Sequence, residues 1–242
     1  MWGALFWGLF AGSSLILGGA IALALPIGDR LLGLIMAFGA GVLISAVSFE
    51  LVAEAFETSA GSGGVALGLA AGALTFFVGD ALIDRMGGAG RKKMHGAAGG
   101  SALAIVLGIV LDGIPESAVI GLGLLDGAGV SVAVIAAVFL SNLPEAIAAT
   151  RGLSTDGWKS GKILGLWGAV TVVCGLSSLL GYVALDSAGA STLAFVLAFA
   201  GGAILTMLAD TMMPEAFEHG GKLVGLLTTL GFGLAFALTM LE

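Results

Sequence analysis

The sequence predicts an all-α polytopic membrane protein of eight transmembrane helices, and three observations carry that prediction. Hydrophobic residues make up 58% of the chain and charged residues only 10%, with a mean hydropathy of +1.12. A soluble domain holds about a quarter charged residues. Breaking the chain at its polar and Gly-rich clusters leaves eight apolar stretches of the roughly 20 residues that a bilayer crossing needs. All nine basic residues fall at the loops of one face of that arrangement. Helix is forced in each stretch, because the hydrocarbon core offers backbone N–H and C=O groups no partner.

The predicted spans cover 2–26, 31–57, 63–84, 98–125, 130–150, 160–185, 191–215 and 220–241. The first lacks a basic n-region and is too long for a secretory h-region, so it reads as a retained helix. The chain reads as a single transmembrane domain over 1–242.

Orientation follows from Arg30, then Arg85, Arg91, Lys92 and Lys93, then Arg151, Lys159 and Lys162, then Lys222. The positive-inside rule makes their face cytoplasmic and leaves both termini outside. The opposite face carries Glu57, Asp126, Asp186 and Glu242 and no Lys or Arg. The net charge of −7 is therefore no sign of an acidic surface seeking basic partners, because many of the sixteen acids sit in or beside the spans. Nucleic-acid binding has no support in this pattern. The single cysteine, Cys174, lies inside the sixth span. It excludes an intramolecular disulfide and a cysteine metal cluster, and reads as a small buried residue.

The chain repeats itself. Residues 37–57 align without gaps to 198–218, sharing Ala-Phe, one Gly and the block Glu-Ala-Phe-Glu. Those are the second and seventh spans, which run in opposite directions. Gly63-Gly64 with Gly68-Leu69 recurs as Gly220-Gly221 with Gly225-Leu226, so the third span similarly matches the eighth. With the fourth and fifth as a further inverted pair, a 3+2+3 inverted repeat follows, an arrangement typical of carriers with a midplane site.

The chemistry lies in Asp112-Gly-Ile-Pro115-Glu116-Ser and Ser141-Asn142-Leu-Pro144-Glu145-Ala. Ionised side chains in membrane-grade sequence are expensive and usually functional. Asp112 and Glu116 are four residues apart, so they share one helix face, and Ser141 and Glu145 repeat that spacing, with Asn142 beside them. Two carboxylates on one face in a low dielectric repel, unless one is protonated or a cation sits between them. Pro115 and Pro144 each remove an amide donor, which frees the carbonyls of Leu111 and Leu140 as further oxygen ligands.

These motifs resemble the ZIP metal transporters, and more closely their prokaryotic GufA-like branch, over essentially the whole chain. The resemblance implies eight helices, outside termini, the 3+2+3 inverted repeat, a metal site on helices four and five, and a homodimer in a prokaryotic inner or plasma membrane. The usual helix-four motif is H-N-x-P-E-G. Here Pro115 and Glu116 match it, while Asp112 stands at the histidine position and Gly113 at the asparagine position. On helix five the polar pair before x-P-E is Ser141-Asn142. The block around Asp210, Pro214 and Glu215 is similar to the family's acidic stretch on helix seven, and helix two offers Glu50, Glu54 and Glu57 toward the outside. Glu50, Glu54, Asp210 and Glu215 are thereby entrance or exit candidates.

The departures shape the expectation for the ion. The loop between helices three and four holds only His95, and His219 reads as belonging to the loop after helix seven. Helix six has no acid, so one good metal site is expected. That site, built from Asp112, Glu116, Glu145, Asn142 and Ser141, is all-oxygen, which favours harder ions such as Mn²⁺ over the zinc that the resemblance implies. The expected function is a non-enzymatic carrier of divalent cations, zinc first, with manganese, iron or cadmium as alternatives, working toward the cytoplasm by alternating access. Helices one, four, five and six would move against two, three, seven and eight, by resemblance. The rival readings are a proton-coupled carrier of another cation and an intramembrane aspartyl protease built on Asp80, Asp112 and Asp210. No Tyr-Asp pair supports the protease, and no aromatic cage supports an organic cation.

Overall fold

The computed structural model describes residues 1–59, 63–88, 102–125 and 131–241, and among them every regular element is helical. In chain order these are α1 Trp2–Ala24, α2 Asp29–Thr58, α3 Gly64–Ile83, α4 Ala102–Leu122, α5 Val132–Thr155, α6 Ser160–Leu185, α7 over residues 190–220, and α8 Val224–Thr239. The predicted starts of the fourth and fifth spans, together with Arg91, Lys92, Lys93, His95, Asp126 and Glu242, lie outside the described residues.

Six stretches are long and apolar enough to cross a membrane: α1, α2, α3, α5, α6 and the run Ala190–Thr239 that holds α7 and α8. That run is 50 residues long, which as one straight helix would measure about 75 Å against a hydrocarbon core of about 30 Å. It reverses instead at Gly221, whose φ of 63° favours a residue without Cβ. Large apolar side chains cover the outside of the bundle, with Leu67 and Leu226 each 68% exposed and Leu180 65%. Surfaces of this kind are stable against lipid, not against water.

Small residues set the helix contacts, as expected where helices associate by close packing and not by expulsion of water. α2 runs antiparallel to α7: Gly33 lies against Ala216 and Gly220, Gly39 against Met212, and Gly201 against Val47 and Val52. α8, which reverses from α7, runs alongside α2, and α3 runs parallel to α7, with Gly68 against Phe195 and Gly72 against Phe199. A methyl group on Gly41 would stand 1.9 Å from the Thr228 carbonyl oxygen, and one on Gly231 2.1 Å from that of Phe38. In the other pair, a methyl on Gly202 would stand 2.1 Å from the Leu69 carbonyl oxygen, and one on Gly72 1.9 Å from that of Phe199. The sequence repeat pairs Phe38 with Phe199 and Gly41 with Gly202. For α3 and α8 these contacts match Leu69 with Thr228 and Gly72 with Gly231, two residues away from the register that the Gly-Gly and Gly-Leu pairs suggest. Cross-helix contact fixes this register, and scattered glycines in apolar sequence do not.

The remaining helices are tied by side-chain bonds. α1 packs antiparallel to α6, with Gly8 beside Ser178, Gly12 beside Cys174 and Gly19 beside Trp167. Ser178 donates to the Ala4 carbonyl at 2.8 Å and Thr171 to the Gly12 carbonyl at 2.9 Å. The Trp167 indole donates to Thr150 on α5 at 2.8 Å. Cys174 is buried and free.

Two helices run further than the sequence suggests. α5 continues to Thr155, so Arg151 is helical, and it pairs with Asp29 at the start of α2 at 2.7 Å while donating to the Ile27 carbonyl. α7 continues to Gly220, so His219 belongs to its last turn and not to a loop. The helix persists because Gly33 lets the α2 backbone lie against that turn, packing that hydropathy does not register. With α3 parallel to α7, these contacts gather Arg30, Arg85, Arg151, Lys159, Lys162 and Lys222 at one end of the bundle.

Candidate functional site

α4 and α5 run unbroken through Pro115 and Pro144. In a membrane, a carbonyl freed by proline is tolerated where a neighbouring helix covers it. The Leu140 carbonyl is such a case, because it packs on α2 at Gly39, where a methyl group would come within 2.9 Å of the oxygen.

On these two helices, Asp112 and Glu116 are each 2% exposed, Ser141 is fully buried and Asn142 is 3% exposed. Glu145 is half-buried. Ser141 Oγ lies 3.3 Å from Glu116 Oε2, 3.4 Å from Oε1 and 3.0 Å from the Val138 carbonyl oxygen. A hydroxyl has one proton to donate, so the contacts to Val138 and to Glu116 cannot both be donated by Ser141 at once. The Glu116 distances are at the long limit for O–H···O bonds. Asn142 Nδ2 has no hydrogen-bond partner among the described residues. An amide's nitrogen and oxygen exchange by a simple flip, so Asn142 can present an acceptor at the same place. The arrangement therefore holds oxygen donors in an enclosed, low-dielectric setting, which suits a desolvated cation better than a neutral solute.

Glu116 also lines a small cavity of about 10 Å³, walled otherwise by apolar residues that include Leu43 and Leu51 of α2, Val134 and Val138 of α5, and Ile204 of α7. Glu116 is thus the polar group in an otherwise apolar lining.

Two of the flanking acids, Glu50 and Asp210, sit where the helices widen. α2 is a π-helix over Val47–Ala53, around Glu50, and α7 is one over Leu208–Met212, around Asp210. The sequence repeat brings Val47 and Leu208 to the same position, so the two widenings are equivalent. π-turns of this kind are rare and concentrate at functional sites. Pro214, which lacks the N–H that would bond the Asp210 carbonyl, accounts for the one in α7; α2 has its own without any proline. Glu54 is half-buried, Glu215 is buried and Asp210 is exposed.

Sequence reasoning missed one cluster. Among the described residues, the group of three acidic, histidine or cysteine side chains whose ligand atoms lie within 4.8 Å of one another is Glu215, Glu218 and His219. It is not the trio Asp112, Glu116 and Glu145. The Glu-x-x-Glu-His spacing was the available signal. It reads as the exit from the membrane, because the predicted seventh span ends at Glu215. Compared with known proteins, the chain matches no family model and no curated relative.

Proposed function

We propose that this protein carries divalent metal cations across a cell membrane toward the cytoplasm, as a ZIP-like transporter working by alternating access. The observation that carries the reading is the burial of Asp112, Glu116, Ser141 and Asn142, with Ser141 against Glu116, inside a bundle of apolar helices. Buried acids inside a membrane protein belong to ion or proton paths by default.

On this reading the chain crosses the membrane eight times. α4 adds to the six apolar stretches, and the turn at Gly221 divides the last of them. The basic end is cytoplasmic by the positive-inside rule, which leaves both termini outside. The matched packing of α8 on α2 and of α3 on α7 supports an inverted repeat. α1, α4, α5 and α6 form the moving group, α2, α3, α7 and α8 the frame, and two copies assemble as a homodimer. The ion is held by Asp112, Glu116, Glu145, Asn142 and Ser141. The resemblance puts zinc first, and the all-oxygen donor set widens the range to manganese, iron and cadmium.

The test is uptake of radioactive Zn²⁺, Mn²⁺, Fe²⁺ and Cd²⁺ into proteoliposomes, comparing the wild type with Glu116→Ala and Glu145→Ala. Uptake by the wild type and its loss in both variants is the expected result. No uptake of any ion by folded protein would overturn the proposal.

A further inference from the structure

We infer that Arg151 is a latch between the two halves of the bundle, tying the end of α5 to the start of α2 and to the linker between α1 and α2. The inference rests on the alternating-access reading and adds to it the contact that must open when the halves move.

The halves are visible in the packing. In the first, a methyl on Gly18 of α1 would stand 2.5 Å from the Leu143 carbonyl oxygen of α5. One on Gly121 of α4 would stand 1.9 Å from that of Ser178 on α6, and one on Gly181 of α6 2.6 Å from that of Ala118 on α4. The side-chain bonds of Ser178, Thr171 and Trp167 also stay within α1, α5 and α6. The second half is closed by the glycine contacts of α2 with α7 and α8, and of α3 with α7. Helices packed this closely shift as bodies and do not deform continuously. Across the boundary Gly39 meets the Leu140 carbonyl, but around the small cavity beside Glu116 the walls are apolar side chains, with Leu43, Leu51 and Ile204 on one side and Val134 and Val138 on the other. Such surfaces slide more readily than interlocked backbones.

Arg151 bridges that boundary. Its Nη1 lies 2.7 Å from Asp29 Oδ1, and its Nη2 donates to the Ile27 carbonyl. Each charge stands at the helix end that suits it, Asp29 as the first residue of α2 and Arg151 in the last two turns of α5. Neither needs the other to be stable where it is, and both are about one-third exposed, so water replaces the contact at little cost. The linker over residues 25–28 has length in reserve. It turns at Pro26, with the Ile27 N–H donating to the Leu25 carbonyl at 3.0 Å, whereas four extended residues reach about 13 Å. While Arg151 holds the Ile27 carbonyl, that reserve stays folded and α1 stays close to α2.

The test is a distance measurement on the full-length protein in lipid nanodiscs. Spin labels are placed on Ser160→Cys, at the start of α6, and Lys222→Cys, between α7 and α8, in a Cys174→Ala background. Both labelled positions are exposed, one on each half. Pulsed electron paramagnetic resonance then reads the separation of the halves with no ion present. Asp29→Asn and Arg151→Ala are each expected to raise the share of a second distance, by up to about five-fold. Asp29→Asn added to Arg151→Ala is expected to give no further shift, because Asp29 acts through Arg151. A distribution unchanged by both single variants would overturn the latch, and so would full additivity of the two. An unchanged distribution in protein that still takes up Zn²⁺ into proteoliposomes would remove the latch and leave the transport reading standing.

Discussion

Ser141 of α5 and Glu116 of α4 meet in full enclosure, the hydroxyl oxygen 3.3 Å and 3.4 Å from the two carboxylate oxygens. This contact joins the two Pro-Glu helices through side chains at the buried centre of the bundle. Its length is informative. Ser141 stands closer to its own Val138 carbonyl, at 3.0 Å, so the carboxylate is placed beside the hydroxyl without being tightly engaged by it.

Ser141→Ala is therefore expected to weaken cation binding. Hydrogen bonds involving charged groups contribute about 1.5–3 kcal/mol, which corresponds to roughly ten-fold or more in affinity. Calorimetric titration of the purified variant with Zn²⁺ and Mn²⁺ measures this. Unchanged affinity would remove Ser141 from the ligand set.

Transport is expected to weaken in acid. Carboxylates bind metal in their deprotonated form, so protons compete with the ion as pH falls toward the carboxylate range. Initial uptake rates between about pH 8 and pH 5 give the profile, and a flat profile would disconnect the acids from the ion.

The close helix contacts predict a sharp division among glycine substitutions. Gly72→Ala puts a methyl 1.9 Å from the Phe199 carbonyl oxygen and Gly231→Ala one 2.1 Å from that of Phe38, whereas Gly165 has open space around it. Overpacking costs about 1–3 kcal/mol and sometimes more. The first two variants are expected to lose most of their folded yield or melt far below the wild type by fluorescence-detected size exclusion, with Gly165→Ala unchanged. Equal melting of all three would mean that the helices do not approach as described.

Arg151 predicts a smaller effect of another kind. It spans from α5 to Asp29 and the Ile27 carbonyl, and both charged side chains are about one-third exposed, at 29% and 36%. Exposed pairs contribute about 0.2–1 kcal/mol. Arg151→Ala and Asp29→Asn are each expected to cost little stability. A double-mutant cycle should show that the two changes together cost less than their sum. Strict additivity would mean that the pair is not formed in solution.

The parts of this protein legible in the sequence are those with a local cause. Long apolar stretches must be helical in lipid, and the placement of α1, α3 and α6 follows from that to within a few residues. The i, i+4 spacing of Asp112 with Glu116 and of Ser141 with Glu145 fixed which side chains share a face, and the four residues Asp112, Glu116, Ser141 and Asn142 are indeed buried. The end of α7 was not legible, because Glu-Ala-Phe-Glu-His is polar enough to read as the exit from a membrane span. What prolongs that helix is its contact with Gly33.

By itself the sequence determined that the chain is helical and rich in membrane-grade apolar stretches, that acids lie inside it, and that its second and seventh helices share a stretch of sequence. Hydropathy and backbone hydrogen bonding, both properties of single segments, impose those results. The tertiary structure alone decided the π-turn at Val47–Ala53, the repeat register that matches Gly72 with Gly231, the reach of Arg151 to Asp29 and the cluster around His219. Each of these depends on how closely two helices approach, and that distance is set jointly by residues far apart in the chain.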